Sequence, residues 1–395
     1  MRVGYMIYEA TGQQDYVGVV DRVGMTYDEL LRVVSKNSGN LAFKYGARKL
    51  FSDEVRYYTY SSDPDRVREE VDVLVLAEAN LVNPGVNFAA PARFLEAVDK
   101  PVMLCGVGSQ ASRDVTSPEE FPDLPQGTMN YLEAAAARTP KVLVRGEFTK
   151  SVLGKSGISN VEALGCPSLL ANKNADLWQQ LTTKHSPQSV LERLAVTEGV
   201  YAASVRLELH DTVERYLFEL VRHLGADYVG QHQTSVMQFG LGFPELVDRN
   251  RIGHLARYLA PRMPVDDFAR LLAARSRAFG RLDQWIAYLS TRSAAIGTRI
   301  HGNLLALQAG IPALPVVHDL RTMELVETMG LPSATLEDVA ALDLLDDVAD
   351  LFAEKFFSVD AAALDERRRN IALSYRGVLE ELGLTPSDHL LGLCA

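Results

Sequence analysis

The stretch from Ser293 to Leu325, SAAIGTRIHGNLLALQAGIPALPVVHDLRTMEL, constrains the fold more than any other part of the chain. An apolar run from Ala294 to Gly297 stops at Thr298, and Ile300, Leu304 and Leu307 then recur at i, i+4 and i+7, a helical stripe. Gly302, Ala306 and Ala309 form a second stripe of small residues that lets another backbone approach closely. Gly310 is a helix stop, and Ile311 to Val317 reads as the next strand. Arg299 and His301 therefore fall on the first turn of a helix that opens from a strand's carboxyl end. Free N–H groups and the helix dipole favour an anion there, and in open α/β sheets ligands bind in that crevice.

A chain of 395 residues is too long for one ordinary core and implies two domains of roughly 150 to 200 residues. A net charge of -11 argues against an extended nucleic-acid surface, so an anionic ligand must be met by a local cluster of arginines. The start MRVGYMIYEA lacks the apolar region of a signal peptide, and no run approaches about 18 apolar residues. A cytoplasmic protein, not integral to a membrane, is the expectation. Cys105, Cys166 and Cys394 are far apart, with neither metal-ligand spacing nor disulfide logic, and no metal site is expected.

In chain order, RVGYMIY reads as a first strand, and the polar excursion containing GQQD that follows it as the lip of a site. Asn37-Ser38-Gly39-Asn40 precedes a helix, with Asn37 or Ser38 as its cap. DVLVLAEANLV is a strand with Asn80 just past its end, and PVMLCGVGSQ is apolar enough to be a parallel strand covered on both faces. Arg145 ends the strand KVLVR, where it faces a cleft or bonds loop carbonyls. Cys166 has no histidine nearby in sequence to activate it, and Ser168 reads as a helix cap. Residues 172–193 read as the polar connection between domains. GVYAASVR is then the first strand of the second, ending at Arg206, followed by a helix capped by Asp211 or Thr212. QTSVMQFGLGFPELVDRN reads as a loop. Boundaries follow at 1–180 and 195–358, with a C-terminal helical segment 359–395 that packs back on the first domain.

IGTRIHGNLLALQAGIPALPVVHD with RTMEL resembles the polysaccharide pyruvyl transferase family, in which an arginine, an apolar residue and a histidine open the corresponding helix. LVRGEFTKSVL, GCPSLL and the SVR strand end are further landmarks in the right order. The resemblance implies two Rossmann-like domains facing across a cleft, as in glycosyltransferase-B enzymes. It also implies transfer of the enolpyruvyl unit of phosphoenolpyruvate onto two hydroxyls of a sugar in a glycan or glycan precursor, with a cyclic ketal formed, phosphate released and no cofactor. A nucleotide-sugar glycosyltransferase and a repurposed anion-binding protein are the alternatives.

The residues fit that chemistry. A donor carrying phosphate and carboxylate needs arginines aimed at one point, and Arg206 and Arg299 each follow a second-domain strand, with Arg321 as a third cation. His301 is the candidate acid, charged chiefly when the donor is bound. Asn303 and the first helical amides complete the anion cradle. His318-Asp319 is either an acid/base pair or a loop brace, and Glu324 either receives a sugar hydroxyl or pairs with Arg321. In the family a Gly-Asp turn often follows the first strand directly; here Asn37-Ser38-Gly39-Asn40 is displaced and lacks the aspartate, so the acceptor side is reworked.

Overall fold

The computed structural model describes residues 1–7, 26–34, 36–111, 115–199 and 207–395, and the contacts below are among these. The GQQD excursion and Arg206 lie outside the described residues. One sheet holds β1 (Arg2–Met6), β2 (Glu54–Tyr58), β3 (Val73–Ala77), β4 (Val102–Val107), β5 (Val142–Val144) and β6 (Val161–Ala163), in the order β2-β1-β3-β4-β5-β6. The other holds β7 (Leu194–Thr197), β8 (Asp227–Val229), β9 (Ser276–Arg277), β10 (Ala294–Gly297), β11 (Ala313–Val317) and β12 (Ala334–Thr335), in the order β12-β11-β10-β7-β8-β9. Every pairing between these strands is parallel. The chain is thus α/β, with two Rossmann-like sheets in the glycosyltransferase-B manner. Strand order reverses once in each sheet, between β1 and β3 and between β7 and β10, and the loops leaving the strand ends part there to open a crevice.

Continuous apolar strands follow from being covered on both faces. In β3, Val73, Val75 and Ala77 enter one core cluster while Leu74 and Leu76 enter the other, and all five are buried. Each such valine or leucine contributes about 1.5–3 kcal/mol of burial. A polar residue at any of these positions therefore disrupts one core or the other.

The long helix Ala361–Glu381, which precedes the last helix Asp388–Cys394, is pinned to the connection between the sheets. Its Asp365 accepts the backbone N–H groups of Trp178 (2.9 Å) and Gln179 (3.1 Å) at the start of the helix Leu177–Lys184. Arg368, 2% exposed, donates to the carbonyls of Leu169, Asn172 and Asn174. The chain then returns to the first sheet's side, where Thr385 donates to Asp53 and Ser387 N–H to the Leu50 carbonyl.

Four local expectations are corrected, while the strand expected at GVYAASVR runs into residues 200–206, outside the described residues; the first described strand of the second sheet is Leu194–Thr197. The helix after it begins at Leu207, ahead of Asp211 and Thr212. TSVMQFGL is a helix, Thr234–Leu241, capped by the Gln233 side chain and ended by Gly242 at φ 77°, so Gly240 lies within a helix and Gly242 terminates it instead of marking a loop. Ser168 sits inside the 3-10 turn Pro167–Leu170, and the helix Asn40–Arg48 starts at Gly39 without a side-chain cap. Asn37 and Ser38 instead reach across to Gln231 of the second sheet: Gln231 donates to Asn37 Oδ1 at 3.3 Å, and Ser38 N–H donates to the Gln231 carbonyl at 2.9 Å.

Candidate active site

The second sheet's wall is built where β10 meets β7. Gly297 has φ 147°, and a Cβ there would lie 2.3 Å from Thr197 Oγ1, so only glycine lets the chain leave β10 at this point. Thr298 donates to buried Glu214 at 2.7 Å, and Arg299 is the residue before the helix Ile300–Gln308. Asn303 is fully buried and faces the turn: its Nδ2 donates to the carbonyls of Gly297 and Arg299, both at 2.9 Å. It holds the backbone that carries Arg299, whereas its side chain is absent from the cavity lining.

Behind Arg299 stands Glu198, 0% exposed, with Oε1 3.7 Å from the guanidinium. Its carboxylate also accepts the backbone N–H groups of His232 and Gln233. Burial raises the Glu198 carboxyl, while Arg299 and those amides oppose the rise. Removing either partner of such a pair strands the other's charge, which costs about 3–5 kcal/mol.

At the end of β11, Asp319 caps the helix Leu320–Met329 by accepting Thr322 N–H at 2.9 Å, and it binds Arg321 through Nε (2.9 Å) and Nη2 (2.6 Å). Burial pushes the Asp319 carboxyl up, but His318, Arg321 and the cap outweigh it and hold it at about 2. Asp319 therefore serves as a helix cap and as the counter-ion of Arg321. Arg321 Nη1 donates to Gln110 of the first sheet's side at 2.8 Å, so the Arg321–Glu324 pair is not formed. Glu324 accepts from Thr149 across the domain junction, from N–H at 3.1 Å and from Oγ1 at 2.9 Å, and burial pushes it up to about 7.

From the first domain, Arg145 donates Nε to the Gly106 carbonyl (3.1 Å) and Nη1 to Asn80 Oδ1 (3.2 Å), so it both braces a loop and faces the cleft. Together the walls enclose a cavity of about 80 Å³, lined by Arg145, Arg299, Arg321, His301 and His318, with Asn37, Asn40, Asn80 and Gln231 beside them. Three arginines and no carboxylate line it, in a protein of net charge -11. Of the sequence candidates, Arg299, His301, Arg321, His318, Asn80 and Arg145 meet here; Asn303 sits behind, and Glu324 opens on a different cavity.

His301 is 6% exposed, and its ring lies 5.9 Å from that of Phe43 on the first domain. Burial lowers its pKa to about 3, helped by Arg145 and Arg299, so the imidazole is neutral without a ligand. Burial also lowers His318, against the pull of Asp319. Sequence reasoning missed Glu198 and Gln231. The charge straight after LAVT was the available signal for Glu198, and Gln231 carried none.

The model of the polysaccharide pyruvyl transferase family matches residues 37–319, well over half of the chain. No curated protein matches the chain. Among solved structures it is similar to Anabaena HepE in complex with UDP and glucose, with 12% identity, 96% of this chain and 99% of that chain covered, and a TM-score of 0.46. It is also similar to the UDP-GlcNAc 2-epimerase of Methanocaldococcus jannaschii, at 12% identity, 95% and 100% coverage and a TM-score of 0.42. The α,α-trehalose-phosphate synthase of Burkholderia vietnamiensis gives 15% identity, 92% and 79% coverage and a TM-score of 0.38. The fold assignment stands on the two strand orders, and the family on the match to its model: the chain belongs to the polysaccharide pyruvyl transferase family.

Proposed function

We propose that this chain moves the enolpyruvyl group of phosphoenolpyruvate onto two hydroxyls of a sugar in a glycan or glycan precursor, forming a cyclic ketal and releasing phosphate. The observation that carries the reading is the carboxylate-free, three-arginine cavity at the strand reversal of the second sheet, with a neutral histidine inside it. Arginine suits a phosphate and a carboxylate together because its planar fork binds either in bidentate fashion.

In this reading Arg299 and Arg321, with the helix amides after Arg299, hold the donor's anions. Arg206, outside the described residues, is a further cation by the family resemblance. His301 delivers a proton to the donor's methylene carbon, C2 becomes oxocarbenium-like, and a sugar hydroxyl attacks it. The C2–O bond to phosphate breaks, and the second hydroxyl closes the ketal. One hydroxyl proton restores His301 and the other leaves on phosphate. The bound dianion offsets Arg145 and Arg299, which raises the His301 pKa towards neutrality in the complex. The chemistry asks for no cofactor.

The donor fills the cationic end, and the sugar diol meets the amide-bearing first domain at Asn37, Asn40 and Asn80. A thermal-shift comparison tests the reading: stabilisation by phosphoenolpyruvate and none by UDP- or GDP-sugars is expected, and the reverse pattern overturns it.

A further inference from the structure

The imidazole in the cleft is held from the opposite domain. Cys166, between β6 and the turn Pro167–Leu170, places Sγ 3.8 Å from His301 Nε2 and 3.0 Å from Ser168 Oγ. It is 1% exposed, so the contact is dry. With Nε2 against the sulfur, Nδ1 is the ring nitrogen left for a ligand. We propose that Cys166 is a positioning residue for His301: an uncharged partner from the first domain that fixes the ring's orientation and tautomer and leaves it neutral until an anion enters. Its catalytic consequence rests on the pyruvyl-transfer reading; the contact itself does not.

The choice of a thiol has a physical sense. Groups facing the ring are the guanidinium of Arg145 at the end of β5, that of Arg299 one residue before the ring's own helix, the Cys166 thiol and the Phe43 ring. His318 and Arg321 line the same cavity from the end of β11. Burial raises the Cys166 pKa more than Arg145 and Ser168 lower it, so sulfur stays protonated and adds no charge. A carboxylate in its place would favour the imidazolium with or without donor, and proton delivery would lose its dependence on the bound anion. A thiol is a weak hydrogen-bonding partner that orients without that bias.

The test reads His301 directly by nuclear magnetic resonance of histidine-labelled full-length protein, with the signal identified by its loss in His301→Gln. In the free wild type the ring is expected to show one neutral tautomer and no titration between pH 5 and 8. Cys166→Ser keeps both features. Cys166→Asp raises the apparent pKa by about two to three pH units, so that titration enters at the acid end of the window. Cys166→Ala averages the two tautomers in the ¹⁵N shifts, and lowers kcat for phosphate release from phosphoenolpyruvate about tenfold with little change in KM. Identical His301 titration in wild type and Cys166→Asp overturns the proposal. Should Cys166→Asp fail to fold, an unchanged tautomer in Cys166→Ala overturns it instead. Absence of phosphoenolpyruvate binding in the wild type would count against the transferase reading alone, because the free-protein spectra do not use the donor.

Discussion

Two cavities flank the helix Leu320–Met329, and they are opposites. One, of about 80 Å³, is lined by three arginines and no carboxylate. The other, of about 590 Å³, lies against the long helix Ala361–Glu381 and is lined by Glu147, Glu324, Glu327 and the single cation Arg367. The larger is not the better site. Arg367 is already engaged with the carbonyls of Glu327 and Thr328, and Glu324 with Thr149, so its polar groups hold the domains together. The small cavity concentrates three guanidinium groups at a strand reversal, with the carboxylates of Glu198 and Asp319 set behind Arg299 and Arg321 instead of on the cavity wall. Lining chemistry, rather than volume, is what sets the two cavities apart.

The contrast can be broken most severely at His301. His301→Gln is expected to lower phosphate release with a competent acceptor by about 10²–10⁴-fold while phosphoenolpyruvate affinity stays within a few-fold, as read by steady-state kinetics and calorimetry. Equal activity in the variant contradicts its role as acid. Next in size, Arg299→Ala should weaken phosphoenolpyruvate binding by about 100-fold or more, since it removes a ligand contact and strands buried Glu198. Arg299→Lys is expected to restore only part of that affinity, because an ammonium lacks the fork.

The two regions also answer pH with opposite signs. The His301 pKa is depressed from 6.5 to about 3, so its contribution to stability is present above pH 6.5 and is lost as pH falls towards 3. The Glu324 pKa is raised from 4.5 to about 7, so its contribution is full below pH 4.5 and is lost as pH rises through 7. Glu324→Gln keeps acceptors for Thr149 and should flatten the fall in unfolding free energy between pH 5 and 8 by at most about 3 kcal/mol. Denaturant titrations at the two pH values check this, and an unchanged slope removes Glu324 from the account. The smallest effect belongs to the acidic cavity's rim: Glu327→Gln is expected to change phosphoenolpyruvate affinity by less than about twofold, consistent with a charge outside the binding site and screened by solvent.

Much of this was legible before any coordinates. The Ser293–Leu325 stretch carries its own period, stops and charges, so strand, turn, helix and strand could be read locally, and Arg299 and His301 fell where they stand. Arg145 and Asn80 were legible for the same reason, as polar residues at the ends of apolar runs. What escaped depends on contacts remote in sequence. Cys166 and His301 are 135 residues apart, and nothing in GCPSLL signals a histidine beside the sulfur. Asn37 looked like a cap because asparagine before a helix usually is one, but its carbonyl serves Gln231, 194 positions away. Glu324 was placed beside Arg321 by helical spacing, and tertiary burial sent each to a partner on the first domain. LAVT was too short to stand out from the connection before it.

No helix among the described residues is long and apolar enough to cross a membrane.

The most direct measurement is calorimetric titration of the wild-type protein with phosphoenolpyruvate near pH 7 in buffers of different ionisation enthalpy. The account predicts saturable binding accompanied by uptake of a proton, lost to His301→Gln in its proton and to Arg299→Ala in its affinity. Binding of phosphoenolpyruvate with no proton taken up, or no binding while UDP-sugars bind, would contradict it.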